Sequence, residues 1–198
     1  MGRAQEDAVS NKVKELAQSC HYEKGHAFQV NKLALRLFDL MKMLHGLGER
    51  EKKLLGSAAI LHDIGWIQGQ KQHHKASLEI IIRSGNKLPL DRRTLLMIGL
   101  IARYHRKSLP KNSHKHYSEL NGRSKLVVRK LASLLRFADG LDRSHRSSIE
   151  QIDCQILDNQ LIVKIQTREL VPEDICTGNE KSDLLEEVFK RKVVIRQA

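Results

Sequence analysis

The side chains in this chain of 198 residues that could do chemistry are histidines and aspartates standing where a helix would bury them. His26 opens a face continued by Val30, Leu33, Leu37, Met41 and Leu44, spaced by three or four residues. His62 follows Ala58 by four residues on a second such face, with Asp63 directly after it. His105 shares a face with Leu95, Ile98 and Ala102, and Asp139 follows Val127, Leu131, Leu134 and Ala138. A buried carboxylate among buried imidazoles is costly unless it is paired or metal-bound. Coordination through nitrogen and oxygen removes that cost and suits a divalent ion. A single inward histidine is commonly a hydrogen-bonded core residue. Five such residues brought in by four helices point instead to a metal site.

The elements that must position them are mostly helical. Period-3.6 patterns run over 4–20, 26–44 (closed by Gly46 and Gly48), 49–64 (closed by Gly65) and 74–84 (closed by Gly85). Asp91 stands as the cap of the next helix, and a last one runs over 119–138. After about Ser148 the period becomes two: Ile152, Cys154 and Ile156 alternate, Asp158-Asn159 offers a turn, and Leu161, Val163 and Ile165 alternate again. Residues 169–182, with Pro172 and Gly178, read as a loop. A short helix (Leu184, Leu185, Val188, Phe189) and a strand at Val193-Val194-Ile195 follow. The expected fold is mainly α: a helical bundle over 1–148 and a small α/β (β-β-α-β) C-terminal lobe over 149–198.

Composition narrows the function classes. Thirty-five Lys and Arg against 23 Asp and Glu leave a net charge of +12, which attracts polyanions. Aromatic residues are only 4% of the chain, too few for the stacking platforms of single-strand binders. No zinc-finger or basic-zipper spacing occurs either, so nucleic acid is not the expected partner. No apolar run approaches the ~20 residues a bilayer span needs, and no signal-peptide core follows Met1. Glu6 stands where a myristoylation signal wants Ser or Thr. Cys20, Cys154 and Cys176 are odd in number and widely spaced, as reduced thiols in a cytoplasmic protein would be.

His26, the doublet in Leu61-His62-Asp63-Ile64-Gly65, and Asp139 reproduce the H…HD…D order of the HD-domain metal-dependent phosphohydrolase superfamily. Three further runs narrow the resemblance: His73-His74-Lys75-Ala76-Ser77, Tyr104-His105-Arg106-Lys107, and Leu134-Leu135-Arg136-Phe137-Ala138-Asp139-Gly140-Leu141-Asp142-Arg143-Ser144. With these, nearly the whole chain resembles the C-terminal HD-like domain of the exopolyphosphatase/guanosine pentaphosphate phosphohydrolase (Ppx/GppA) family. The resemblance implies one or two divalent ions of the Mn, Mg, Fe, Ni or Co kind. His26, His62, Asp63 and Asp139 would hold the first, and Asp63 with His74 (or His73) and His105 the second. Relatives often carry a further histidine where Ala76 stands, so the choice between His73 and His74 stays open.

A water acidified by such an ion can attack phosphorus near neutral pH. Asp63, Lys75 and Arg106 are then the catalytic candidates. Lys75 and Arg106 would grip phosphate beside ligand histidines, and Arg143 would be a third cation for it. His21, His45, His114, His116 and His145 are read as surface residues, the basic segment 107–117 as a loop over the site, and Trp66 as packing. The implied function is a metal-dependent phosphohydrolase acting on a phosphorylated small molecule, nucleotide or polyphosphate. A non-catalytic polyphosphate- or nucleotide-binding module is the other reading. In the family, this part follows an actin-like fold that carries polyphosphate hydrolysis. A chain of 198 residues has no room for that fold, so exopolyphosphatase activity itself is not implied. The expected partner is an anionic phosphorylated substrate, with a homodimer and a separately encoded actin-like phosphatase partner left open.

Overall fold

Side-chain caps set where the long helices begin. Asp91 accepts from the Thr94 N–H at 3.0 Å and Asn121 from the Ser124 N–H at 2.9 Å, each satisfying a donor that the first helical turn leaves free. The computed structural model describes residues 3–197, so the Met1-Gly2 start, on which the lipid-anchor reading partly falls, lies outside the described residues. Helices fill the first part: α1 (Arg3–Ser19), α2 (Lys24–Leu40), α3 (Lys42–His45), α4 (Glu49–Leu61), a 3-10 turn (Ile64–Gln68), α5 (His73–Arg83), α6 (Arg92–Arg103), α7 (Lys115–Ser118) and α8 (Gly122–Gly140). Their apolar stripes meet in one core, where Leu33, Leu37, Leu55, Leu61, Leu78, Ile98, Leu131 and Leu134 are buried. Among the described residues no helix is long and apolar enough to cross a membrane.

The rest of the chain forms the small α/β lobe: β1 (Ile149–Ile156), β2 (Gln160–Thr167), α9 (Pro172–Glu180), α10 (Asp183–Phe189) and β3 (Lys192–Gln197). β1 and β2 are an antiparallel hairpin whose register pairs Ile152 with Ile165, Cys154 with Val163 and Ile156 with Leu161. The Leu157 N–H closes its turn on the Gln160 carbonyl at 2.9 Å. β3 joins β2 in parallel, which demands a crossover, and α9 and α10 supply it. The expected single helix is therefore two, because much of the segment read as a loop is α9. Pro172 sits at its first turn, where a missing N–H costs nothing, and Glu173 and Asp174 complement the positive end of the helix.

The lobe is tied to the helical part at several points. Arg136 on α8 makes a bidentate pair with Asp183, at 2.7 and 2.9 Å. The buried Asp174 accepts from Ser144 through its N–H (2.7 Å) and its hydroxyl (2.9 Å). Backbones also touch: a Cβ on Gly140 would lie 2.9 Å from the Thr177 carbonyl oxygen and 3.1 Å from the Gly178 Cα. The end of α8 and the middle of α9 thus approach as only glycines permit.

His45, expected at the surface, is buried. Its Nε2–H donates to the Phe38 carbonyl at 2.6 Å while its Nδ1 accepts from the Leu47 N–H at 2.9 Å, an arrangement that needs a neutral ring. Burial lowers its pKa, with Lys130 and Lys42 adding to the effect and the Phe38 carbonyl and Asp39 opposing it. The folded value lies below the unfolded one of about 6.5. Its contribution is therefore present above that pH and lost as pH falls through it. His45→Gln should lose less melting temperature than the unsubstituted protein between about pH 8 and about pH 5.5. Equal losses would show that His45 carries none of the acid sensitivity.

Candidate metal centre

Six ligand-type side chains come to one place from five stretches of chain, the adjacent His62 and Asp63 sharing one. His26 comes from the first turn of α2, His62 from the end of α4, Asp63 from the step into the 3-10 turn, His73 from the start of α5, His105 from just past α6, and Asp139 from the last turn of α8. They form two groups, His26–His62–Asp139 and Asp63–His73–His105, each with its ligand atoms within 4.8 Å of one another. Asp63 faces both groups. Its Oδ2 lies 3.5 Å from His62 Nε2 and 4.0 Å from His26 Nε2, and its Oδ1 lies 3.1 Å from His73 Nε2 and 3.4 Å from His105 Nε2. Asp139 Oδ1 lies 3.3 and 3.6 Å from the Nε2 atoms of His26 and His62.

The outward nitrogens explain why the inward ones converge. The Nδ1 atoms of His62, His105 and His73 lie 2.7, 2.7 and 3.1 Å from the carbonyls of Ala59, Ala102 and Gln70. The Nδ1 of His26 lies 2.9 Å from Asp142 Oδ2. Acceptors at all four Nδ1 positions hold the proton there and turn the Nε2 lone pairs toward the centre. His26 Nε2 and His62 Nε2 then face each other at 3.3 Å, close enough to share a proton or to turn together on one cation. Asp63 Oδ1 is buried and has no assigned hydrogen-bond partner, with His73 Nε2 at 3.1 Å and His105 Nε2 at 3.4 Å from it. An orphaned carboxylate oxygen among converging imidazole nitrogens is a nitrogen-and-oxygen donor set that fits a divalent metal ion.

The electrostatics describe the same centre holding protons. Burial disfavours a charged His26, yet its bonds to Asp139 and Asp142 outweigh burial and raise its pKa to about 10. His62 moves up as well: burial opposes its charge, while Asp63 and Asp139 more than compensate. Burial would raise the Asp63 carboxyl, but His62, His73 and His105 hold it well below the usual carboxylate range. Burial likewise opposes the charge of Asp139, and Lys181, His26 and His62 overcome it. His105, buried with weaker compensation, falls to about 3 and is neutral.

The expected second-group ligand was His74, with His73 as the alternative, and the structure places His73 against Asp63. The His74 ring stands edge-on to that of His73, 6.1 Å away, and belongs to neither group. Burial, with the charges of His73, Arg106, Arg103 and Lys75, lowers its pKa to about 4. Arg106 Nη1 is 3.2 Å from His73 Nε2. Lys75 is exposed on Gln72 at 3.1 Å. Arg143 is at the surface, its Nε 3.9 Å from Glu173. The segment 107–117 packs on the end of α6, where the Tyr104 hydroxyl meets His114 Nδ1 at 2.9 Å. Trp66 is 44% exposed and stacks on His73, 4.7 Å between centroids.

Three residues of the centre escaped the sequence reading. Asp142 is buried and orients His26 while its Oδ1 accepts from the Ser147 N–H at 2.9 Å. Its spacing of three from Asp139 was the available signal. His145 is at the surface, as expected, but it also stacks on His26 at 3.9 Å with the rings parallel and its backbone left-handed at φ 58°. Lys181, from the C-terminus of α9, pairs with Asp139 Oδ2. Over residues 10–187 the chain matches the family described as Ppx/GppA phosphatase, domain III. A search of curated proteins finds no match.

Proposed function

The chain belongs to the Ppx/GppA phosphatase domain III family, and from that membership and the geometry of the polar centre we propose that it is a metal-dependent phosphohydrolase of the HD type. The family is one of phosphatases, so the substrate class is phosphorylated. The observation that carries the proposal is the set of four histidine Nε2 atoms turned on Asp63 and Asp139, each ring fixed through its Nδ1.

His26, His62 and Asp139 would hold one divalent ion; Asp63, His73 and His105 would hold a second, with Asp63 shared between them. When bound, an ion of the Mn, Mg, Fe, Ni or Co class would acidify a water molecule and neutralise phosphoryl charge. Asp63, 17% exposed, is the edge of the centre that a substrate can reach. Arg106, beside His73, is placed to take phosphoryl oxygens with its planar fork. Lys75, exposed on α5 two residues after His73, and Arg143, at the surface four residues after Asp139, would add positive charge for the same substrate. The division at 148/149 belongs to this reading: helices carry the ligands and the lobe closes on α8.

Metal analysis of the purified protein, combined with phosphate release from phosphomonoesters and nucleotides in Mn, Mg, Fe, Ni and Co, tests it. One or two equivalents of metal and metal-dependent phosphate release are expected. The single tryptophan, stacked on His73, should be quenched as Co²⁺ or Ni²⁺ fills the neighbouring group. Protein that takes up no metal and releases no phosphate in any of these ions would overturn the hydrolase reading in favour of an anion-binding module.

A further inference from the structure

Lys181 belongs to no motif and lies 42 residues from the side chain it meets. Its N–H bonds the Thr177 carbonyl at 2.9 Å, at the end of α9, and its side chain runs inward until the ammonium reaches Asp139 Oδ2. One fifth of the side chain (20%) stays exposed, against 9% for Asp139. Among the described residues Asp139 is its hydrogen-bond partner, and an ammonium has three donors to give. The lobe is held in place to present it by the close approach of Gly140 to Thr177 and Gly178, the Asp174–Ser144 bonds and the Arg136–Asp183 fork. At the other group, Arg106 stands against His73. Each half of the centre is therefore bordered by one cation.

We propose that Lys181 is a substrate-positioning residue which the C-terminal lobe delivers to the centre: it balances Asp139 while the centre holds only protons, and gives its remaining donors to a phosphoryl oxygen once metal is bound. This rests on the metal-dependent reading above. It assigns the lobe a part in the site beyond covering α8. It also has an electrostatic signature. A lysine beside a divalent ion opposes that ion's binding, and the same lysine favours the anion that the ion attracts. A lysine that only docked the lobe would, on removal, weaken both or change neither.

Calorimetric titrations with Mn²⁺, and with inorganic phosphate added to Mn²⁺-loaded protein, separate these cases. Lys181→Met keeps the aliphatic stem. It should bind Mn²⁺ tighter by about tenfold or more, since the opposing charge is gone. Phosphate should bind roughly tenfold to a hundredfold weaker, as expected for a lost charged hydrogen bond. Lys181→Arg should return both affinities toward those of the unsubstituted protein. If Lys181→Met does not fold, as judged by circular dichroism, Lys181→Gln carries the same test. Weaker Mn²⁺ binding in the neutral variant, or no change in either titration, overturns the proposal while the hydrolase reading stands. An unsubstituted protein that binds no Mn²⁺ overturns both, so the two failures are told apart.

Discussion

Asp63→Asn is expected to lose metal binding and phosphate release together, by more than about a hundredfold, the upper range for losing a group that merely orients a ligand. Among the described residues, Asp63 is the one side chain with an oxygen toward each group, at 3.5 Å from His62 and 3.1 Å from His73. The amide keeps its size but halves its acceptor capacity and removes a charge that both groups share. Without it, His26, His62, His73 and His105 face one remaining carboxylate, too little negative charge for two divalent ions. Fold stability separates loss of the site from loss of the protein. His62, His73 and His105 hold the Asp63 carboxyl well below the usual carboxylate range, so metal-free Asp63→Asn should melt below the metal-free parent, and the diagnostic comparison is the further rise that metal gives each protein. Metal at a hundredfold excess over its Kd stabilises the parent by about 2.7 kcal/mol, a rise of about 5–11 °C for a chain of this size. That rise should be absent in the variant. A variant that keeps its metal and still turns over phosphate esters would take Asp63 out of the centre.

The parts of the centre that were legible in the sequence are those that a helix presents by period. His26, His62, His105 and Asp139 each continue an apolar face, and Asp63 is fixed by its neighbour. The choice between His73 and His74 was not legible, since both begin one helix and periodicity cannot say which points inward. Tertiary contact decides it: the 3-10 turn lies against the start of α5, where Ser77 Oγ donates to the His62 carbonyl at 2.7 Å and accepts from the Gly65 N–H at 2.9 Å. Asp142 and His145 lie in a turn, where side-chain direction has no period. Lys181 depends on how α9 docks on α8, and Pro172 had made that helix look like a loop. Periodicity reads which face of an element is buried; contacts between elements across the chain leave no such trace.

The contact that decides between the two histidines also marks the most fragile backbone position. A Cβ on Gly65 would lie 2.1 Å from the His73 carbonyl oxygen and 2.5 Å from the Ser77 amide nitrogen. Both are backbone atoms of α5, so no side chain can turn away to make room, and the first turn of α5 must move. That turn carries His73, the ring stacked on Trp66 and set against Asp63. Gly65→Ala should therefore cost about 3 kcal/mol or more, the upper end for overpacking. It should lower the melting temperature by about 6–12 °C and cut metal uptake at the Asp63–His73–His105 group before that at His26–His62–Asp139. Gly25→Ala is the matched control. It sits beside His26 in the first turn of α2, where an added Cβ meets nothing within 4 Å. Removing glycine from a helix there should stabilise the protein by up to about 1 kcal/mol. The same added methyl thus has opposite signs at two positions next to ligands, and the sign follows from how closely another backbone approaches. A Gly65→Ala protein that melts with the parent and binds as much metal would mean that α5 does not rest on the 3-10 turn, and that His73 owes its place to something else.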